Sequence, residues 1–324
     1  MYEYYVKYNY YRIPLSIYIK MSRIVLILGN GFDIDLGLKS RYSDFIESEE
    51  WKSRIELINT KFSKFEYFNR YSLLKYINKA SRESNWFDIE EEIRAYAKEH
   101  QRFPDNLFGI VQNEFDWLRN DLKTYLCRIS RDFQVNKERI AYILLNSLSK
   151  LSSDVKVLSF NYTNCFHLCD VPLKDNVSFS NVHNSIYDDD IVLGCIRMPM
   201  DMVNPSFSFF FKYNMLQKAT HIYEYLKDAH EVIFFGHSMN LMDYCYFEDF
   251  FKQLSTPIAA TVDLTFITLD KKSERTIRDN IDNVTALHIY LNSINFIHTE
   301  SLYNRDKKEI EKWEKILSRI RSVS

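Results

Sequence analysis

The sequence predicts a doubly wound, Rossmann-like α/β fold with a mostly parallel sheet and a large helical insertion after the first strand. Three observations carry this expectation. Short apolar runs rich in β-branched and aromatic residues alternate with helical patterns, as strands buried on both faces of a parallel sheet require. Glycine is scarce, with six in 324 residues against roughly 7% in an average protein. Gly29, Gly31, Gly37, Gly194 and Gly236 nonetheless gather at or just beyond the ends of apolar runs. A chain this poor in glycine keeps it where backbone geometry demands it. Finally, residues 40–152 show helical periodicity and no strand signal.

Residues 1–20 form a tyrosine-rich extension ahead of a second methionine, Met21, which is expected to be the natural start. The first strand is expected at 24–29 (Ile24-Val25-Leu26-Ile27-Leu28), and others at 155–160, 191–195, 231–236, 262–268 and 285–290. In the insertion, Asn85 is placed as an N-cap before Trp86-Phe87-Asp88-Ile89-Glu90-Glu91. Phe108, Val111, Phe115, Leu118, Leu122, Tyr125 and Ile129 recur at spacings of three and four after Pro104 and predict one long amphipathic helix. A last helix near 304–322 carries Ile310, Trp313, Leu317 and Ile320 on one face, to dock on the body or meet a partner. The expected division is an extension (1–20), a nucleotide-binding core (21–39 and 153–295), the insertion (40–152) and a C-terminal amphipathic helix (296–324).

A formal net charge of −2 argues against general nucleic-acid binding. Five scattered cysteines fit reduced thiols in a cytoplasmic protein. Cys165, His167 and Cys169 lack a second ligand pair at zinc-site spacing, so they are read as helix packing and no metal is expected. No apolar run is long enough for a membrane helix, and no membrane partner is expected.

Ligands of open α/β sheets bind outside the carboxyl ends of the strands, which directs attention to the segments there. Gly29-Asn30-Gly31-Phe32 can turn tightly and let a phosphate approach the backbone, or can be a plain strand-to-helix turn. Asp33 would repel phosphate; it fits a ribose hydroxyl, a helix cap or a developing cation. Ser159-Phe160-Asn161-Tyr162-Thr163-Asn164 is a polar cluster at a strand end, in which Asn161 offers a donor and an acceptor or caps a helix. His183 follows Phe179-Ser180-Asn181-Val182 and is read as catalytic or structural. Gly236-His237-Ser238, with Asp243 further on, suits a phosphate- or ribose-contacting loop. It also resembles a nucleophile elbow, with Asp263 or Asp270 and then His288 in the required order, although Asn240 replaces the second elbow glycine. Glu90 lies beside the apolar face of its helix, where a carboxylate is paired, functional or reaching solvent.

Taken in order, Ile27-Leu28-Gly29-Asn30-Gly31-Phe32-Asp33, Gly37-Leu38, Tyr42-Ser43-Asp44-Phe45, Asn85 to Glu90, Ser159 to Thr163, Val182-His183 and Phe235 to Ser238 with Asp243 and Tyr246-Phe247 resemble the AbiH family of bacteriophage abortive-infection proteins. The same order more distantly resembles sirtuin-like defence proteins. That second resemblance implies a pocket for NAD or a related nucleotide, with Asn161 and His183 in the positions that carry NAD cleavage in those relatives; Asp33, which can supply negative charge, is the third catalytic candidate. Gly29, Asn30, Gly31, Phe32, Tyr162, Gly236, His237, Ser238 and Asp243 would then bind the nucleotide, with Glu90 as an additional candidate. Asn184 departs from the glycine that follows the histidine in those relatives, and Asn30 and Asp33 depart from their small hydroxylic loop. Three functions follow: a defence enzyme cleaving NAD or a related nucleotide, a non-catalytic regulator binding a nucleotide or phage signal, and a serine hydrolase using Ser238. A phage component and a second copy of the chain are the further partners considered.

Overall fold

A computed structural model describes residues 23–62, 64–83, 88–196, 204–212, 215–254, 262–284 and 294–322. The chain opens with β1 (Arg23–Leu28) and α1 (Asn30–Leu36). Seven helices follow: α2 (Tyr42–Ile46), α3 (Glu49–Lys61), α4 (Glu66–Tyr71), α5 (Leu73–Glu83), α6 (Ile89–Glu99), α7 (Phe108–Arg131) and α8 (Ile140–Leu148). Then come β2 (Asp154–Ser159), α9 (Cys165–Cys169), β3 (Val177–Asn181), α10 (Met215–Leu226) and β4 (Glu231–Phe235). The chain continues through α11 (Leu241–Tyr244), α12 (Glu248–Leu254), β5 (Asp263–Thr268) and α13 (Lys271–Val284). It closes with β6 (Asn295–His298), α14 (Thr299–Tyr303) and α15 (Lys307–Ser322).

The six strands form one sheet in the order β3-β2-β1-β4-β5-β6, and every pairing is parallel. The expected α/β class is therefore the observed one. Ile24 to Leu28 of β1 and Val232 to Phe235 of β4 are apolar without a break because both faces are covered. Ile24, Leu26 and Leu28 face a layer that includes Leu144 and Leu148 of α8 and Trp313, Ile316 and Ile320 of α15. Val25 and Ile27 face the opposite layer, with Leu226 of α10, Phe250 and Phe251 of α12 and Ile277 of α13. The last helix thus docks on the body, and its Arg319 reaches Glu231 at the start of β4.

Two strand expectations need correction. Residues 191–195 join no sheet strand; Cys195 makes only an isolated bridge to Phe211. Ile191, Leu193, Cys195 and Ile196 instead pack into a third core, made with α3, α5, α6 and α7. The strand beside β2 is Val177–Asn181, on the sheet edge. The expected strand at 285–290 lies outside the described residues, as do the extension 1–20, Asn85, Trp86 and Phe87. The described sixth strand, Asn295–His298, crosses the boundary expected between 295 and 296. Among the described residues, no helix is long and apolar enough to cross a membrane.

Candidate functional site

The strand order reverses between β1 and β4, so the crevice where doubly wound sheets bind ligands opens at their carboxyl ends. Two glycine loops meet there. A Cβ on Gly31 would come within 2.5 Å of Gly236 Cα, and one on Gly29 within 2.6 Å of the Gly236 carbonyl oxygen. Gly236 itself has φ of +63°, and a Cβ on it would come within 2.4 Å of the Gly31 backbone. The glycines are required by this contact of backbone on backbone. Gly29 N–H donates to the Phe235 carbonyl and Gly31 N–H to that of Gly236, both at 2.9 Å, while Phe32 N–H donates to Gly29. These three donors are occupied, and Asn30 is held by Ser40 through its side-chain carbonyl.

Asp33, in the first turn of α1, is buried and accepts from Asn161 Nδ2 (2.9 Å) and Thr163 Oγ1 (2.6 Å). Asn161 Nδ2 also donates to the Gly29 carbonyl at 3.1 Å. The three side chains tie the end of β2 to the first loop. Burial pushes the Asp33 carboxyl up to about 6, against the pull of those two donors. Asn164, three residues after Asn161, is the residue that caps α9, accepting from Phe166 and His167 N–H. Asn161 is thereby left to Asp33.

A group of buried ionisable side chains lies beside this tie. Asp243, on α11 after β4, has His183 Nε2 3.7 Å from its Oδ1 and His237 Nε2 3.7 Å from its Oδ2. Both Nε2 atoms are buried and have no hydrogen-bond partner among the described residues. Lys212 Nζ stands 3.5 Å from Asp243 Oδ1 and 2.9 Å from Glu90 Oε2. Glu90 enters from α6, whose N-cap is Asp88, and its other oxygen accepts from Gly194 N–H at 3.4 Å. The Phe160 ring meets both imidazoles edge to face, with centroids 5.4 Å from His183 and 4.8 Å from His237. Tyr162 packs 6.5 Å from His183, and its hydroxyl is linked to that of Tyr42.

Electrostatics assigns the protons. Burial, reinforced by Lys212, pushes the His183 imidazole well below its ordinary value, and burial likewise lowers His237. Both are neutral. Burial alone would pull the Lys212 ammonium down, but Glu90 and Asp243 outweigh it and hold it above its usual range. Burial would raise Asp243; Lys212, together with His183 and His237, outweighs that and holds the carboxyl below its usual range. Burial pushes Glu90 up to about 8, against Lys212. His237 Nδ1 accepts from Met239 N–H at 3.1 Å, which in a neutral ring leaves the proton on Nε2, facing Asp243.

Two imidazoles and a carboxylate suit a metal in composition. The Lys212 ammonium already serves as the cation at Asp243, however, and no group of three His, Cys, Asp or Glu among the described residues could hold a metal ion.

The structure thus brings His183, His237, Asp243, Glu90 and Tyr162 into one cluster and Asp33, Asn161 and the glycines into an adjoining one. Lys212 escaped sequence reasoning; its only signal is a lysine ending the aromatic run Phe209-Phe210-Phe211. Ser238 is exposed. Asp263, offered to it as an acid, opens β5 opposite Glu231, at the other end of the sheet, and pairs with Arg319. Asp270 is spent capping α13 through Ser273, and His288 lies outside the described residues.

A family model described as bacteriophage abortive infection AbiH matches residues 25–267. No curated protein matches the chain.

Proposed function

From the premise that the chain belongs to the AbiH family of bacteriophage abortive-infection proteins, we propose that its antiphage role is exerted by cleaving the glycosidic bond of NAD or a related nucleotide at the β1/β4 crevice. The observation that carries this reading is the pair of buried, unpartnered imidazole nitrogens on either side of Asp243. Unsatisfied polar groups in a native interior call for a functional account. Their place outside the carboxyl ends of the strands is where such sheets take nucleotides.

The chemistry asked of the site is modest. Nicotinamide leaves as a neutral base from a cationic glycoside, so the C–N bond breaks without a strong general acid. A water oxygen then bonds to the ribose carbon, and a neutral His183 takes its proton. The ionised Asp243 carboxylate stabilises the oxocarbenium-like centre. Asn161 and Asp33 act in this scheme by fixing the first loop and the end of β2, since the amide of Asn161 already donates to Asp33 and Gly29. This supports a positioning role for both.

The test is to incubate the purified protein with NAD, with and without infected-cell lysate, and to follow nicotinamide and ADP-ribose by chromatography. Release of both, lost in His183→Ala with an unchanged melting curve, is the expected result. An NAD pool that stays intact under both conditions would overturn the reading in favour of a nucleotide- or phage-signal-binding regulator.

A further inference from the structure

The edge strand β3 has only β2 beside it, and His183 stands beyond its end, outside any strand or helix. It forms the neck of a loop that closes where Val192 N–H donates to the His183 carbonyl at 2.8 Å. Asn184, the next residue, has φ of +60°, in the left-handed region that asparagine tolerates better than most residues. Its side-chain amide donates across the loop to the Asp190 carbonyl at 3.1 Å. From outside, the loop is held by one face of α7. Arg119 donates to the Asp190 carboxylate through Nη1 and to Asp116 through Nη2, the latter at 2.6 Å. One turn on, Lys123 donates to the Asp188 and Asp189 carbonyls; a turn further, Cys127 Sγ lies 3.7 Å from the Ile186 carbonyl. The Arg119 guanidinium lies 5.3 Å from the centre of the Phe115 ring and its Nε is buried, so packing fixes the fork that meets the loop.

We propose that Arg119 is a positioning residue for the His183 imidazole, acting through Asp190 and Asn184. Two hydrogen bonds in series run from α7 to the residue that follows the histidine: Arg119 fixes Asp190, and the Asp190 carbonyl fixes the Asn184 side chain. Glycine would take the same φ without that tie, so the asparagine is accounted for by the bond it makes. Rotation of the backbone at Asn184 turns the peptide it shares with His183, and with it the ring, whose Nε2 lies 3.7 Å from Asp243 Oδ1. A helix of the insertion, rather than the sheet, thereby sets the aim of the imidazole. The proposal rests on the reading of His183 as the group that takes the proton from water, but the link from Arg119 to the ring can be measured without turnover.

The test uses the full chain labelled with carbon-13 in its histidines, the His183 Cε1–H signal being assigned by its loss in His183→Gln. Arg119→Ala and Asn184→Gly should each displace that signal, and the double variant should displace it no further, because both cut the same series of bonds. Amide exchange over residues 184–192 should rise roughly 10-fold in Arg119→Ala, as loss of a hydrogen bond between charged groups implies, while the amides of β1 and β4 keep the parent rate. Arg119→Lys, which keeps a cation for Asp190, should recover part of the shift, and Asn184→Gly guards against an Arg119 variant that fails to fold. Arg54→Ala removes a different ion pair of α7, that with Asp121, and should leave the His183 signal in place. With NAD as substrate, Arg119→Ala should lower kcat roughly 10-fold at nearly unchanged KM, the pattern of a lost transition-state interaction. An unmoved His183 signal in Arg119→Ala, an equal shift in Arg54→Ala, or a moved signal with full turnover would overturn the proposal. A parent protein that leaves NAD intact would overturn cleavage instead, and the ring signal and the amide exchange would still decide the link from Arg119 to His183.

Discussion

Removing Glu90 tests whether the helical unit and the sheet are held together through the buried ion pair. The Lys212 side chain has no exposed surface, and Glu90 sits 2.9 Å from its ammonium while Asp243 is more distant at 3.5 Å. In Glu90→Ala the ammonium keeps only the longer contact, and Gly194 N–H loses its acceptor. Breaking a buried pair from one side costs about 3–5 kcal/mol, since the surviving charge stays desolvated. At about 2.1 cal/mol/K of unfolding entropy per residue, a chain of 324 residues loses about 1.5 °C per kcal/mol, so the midpoint should fall by about 5–8 °C. Glu90→Gln keeps an acceptor oxygen for one of the two donors and should lose less. The double variant Glu90→Leu/Lys212→Met removes the desolvated ammonium and, because Asp243 then lacks its cation, should recover part of the loss. Calorimetric melts of the three proteins at pH 9, above the value of about 8 to which burial raises Glu90, decide the matter. A midpoint within 1–2 °C (about 1 kcal/mol) of the parent for Glu90→Ala, or a double variant as unstable as the single, would refute the assignment of a desolvated Lys212 to this pair.

Asp33 should make the fold less stable as pH rises. Its carboxyl titrates near 6 in the folded chain against an ordinary 3.8, so the native state holds a proton that the unfolded chain releases between those values. The loss across that window is up to about 3 kcal/mol. Asp33→Asn should be the more stable protein at pH 7 and lose its advantage below pH 4 in urea titrations; equal pH slopes for the two would contradict the burial argument. Gly236→Ala, strained by its positive φ and by a Cβ that would fall 2.4 Å from the Gly31 backbone, should fail to fold or lose several kcal/mol. Gly109→Ala has open space around it in α7 and should gain up to about 1 kcal/mol; the comparison is read from paired melts. Ser238→Ala should leave NAD consumption unchanged, and a fluorophosphonate probe should leave the parent unlabelled, because the exposed Ser238 has its proposed acid Asp263 at the far end of the sheet.

Strands buried on both faces were readable because nothing polar interrupts them: Ile24 to Leu28 and Val232 to Phe235 are apolar without a break. The same criterion misplaced residues 191–195, since an apolar run signals burial and says nothing about which core receives it. It also passed over Val177-Ser178-Phe179-Ser180-Asn181, an edge strand that alternates apolar and polar residues, which a period of two would have revealed. Glycine scarcity located the meeting loops, but the N–H groups of Gly29, Gly31 and Gly236 are spent on backbone carbonyls of Phe235, Gly236 and Ile267. Lys212 pairs with a residue 122 positions away, a distance over which no local pattern carries information.

The cluster that results is costly as pure architecture. Its two imidazole nitrogens are buried without partners, at about 1–3 kcal/mol each, and Phe160, Tyr246 and Phe247 around them would accommodate an apolar ring. Packing would favour phenylalanine at such positions. Histidine at both, each set against a different oxygen of one carboxylate, is what a site for polar ligand groups requires, and a bound nucleotide would give the same two nitrogens partners. Ligand binding should therefore stabilise this protein more than the new contacts alone predict, because it also removes a standing desolvation cost. A rise in melting midpoint with NAD that disappears in His237→Phe would be its signature.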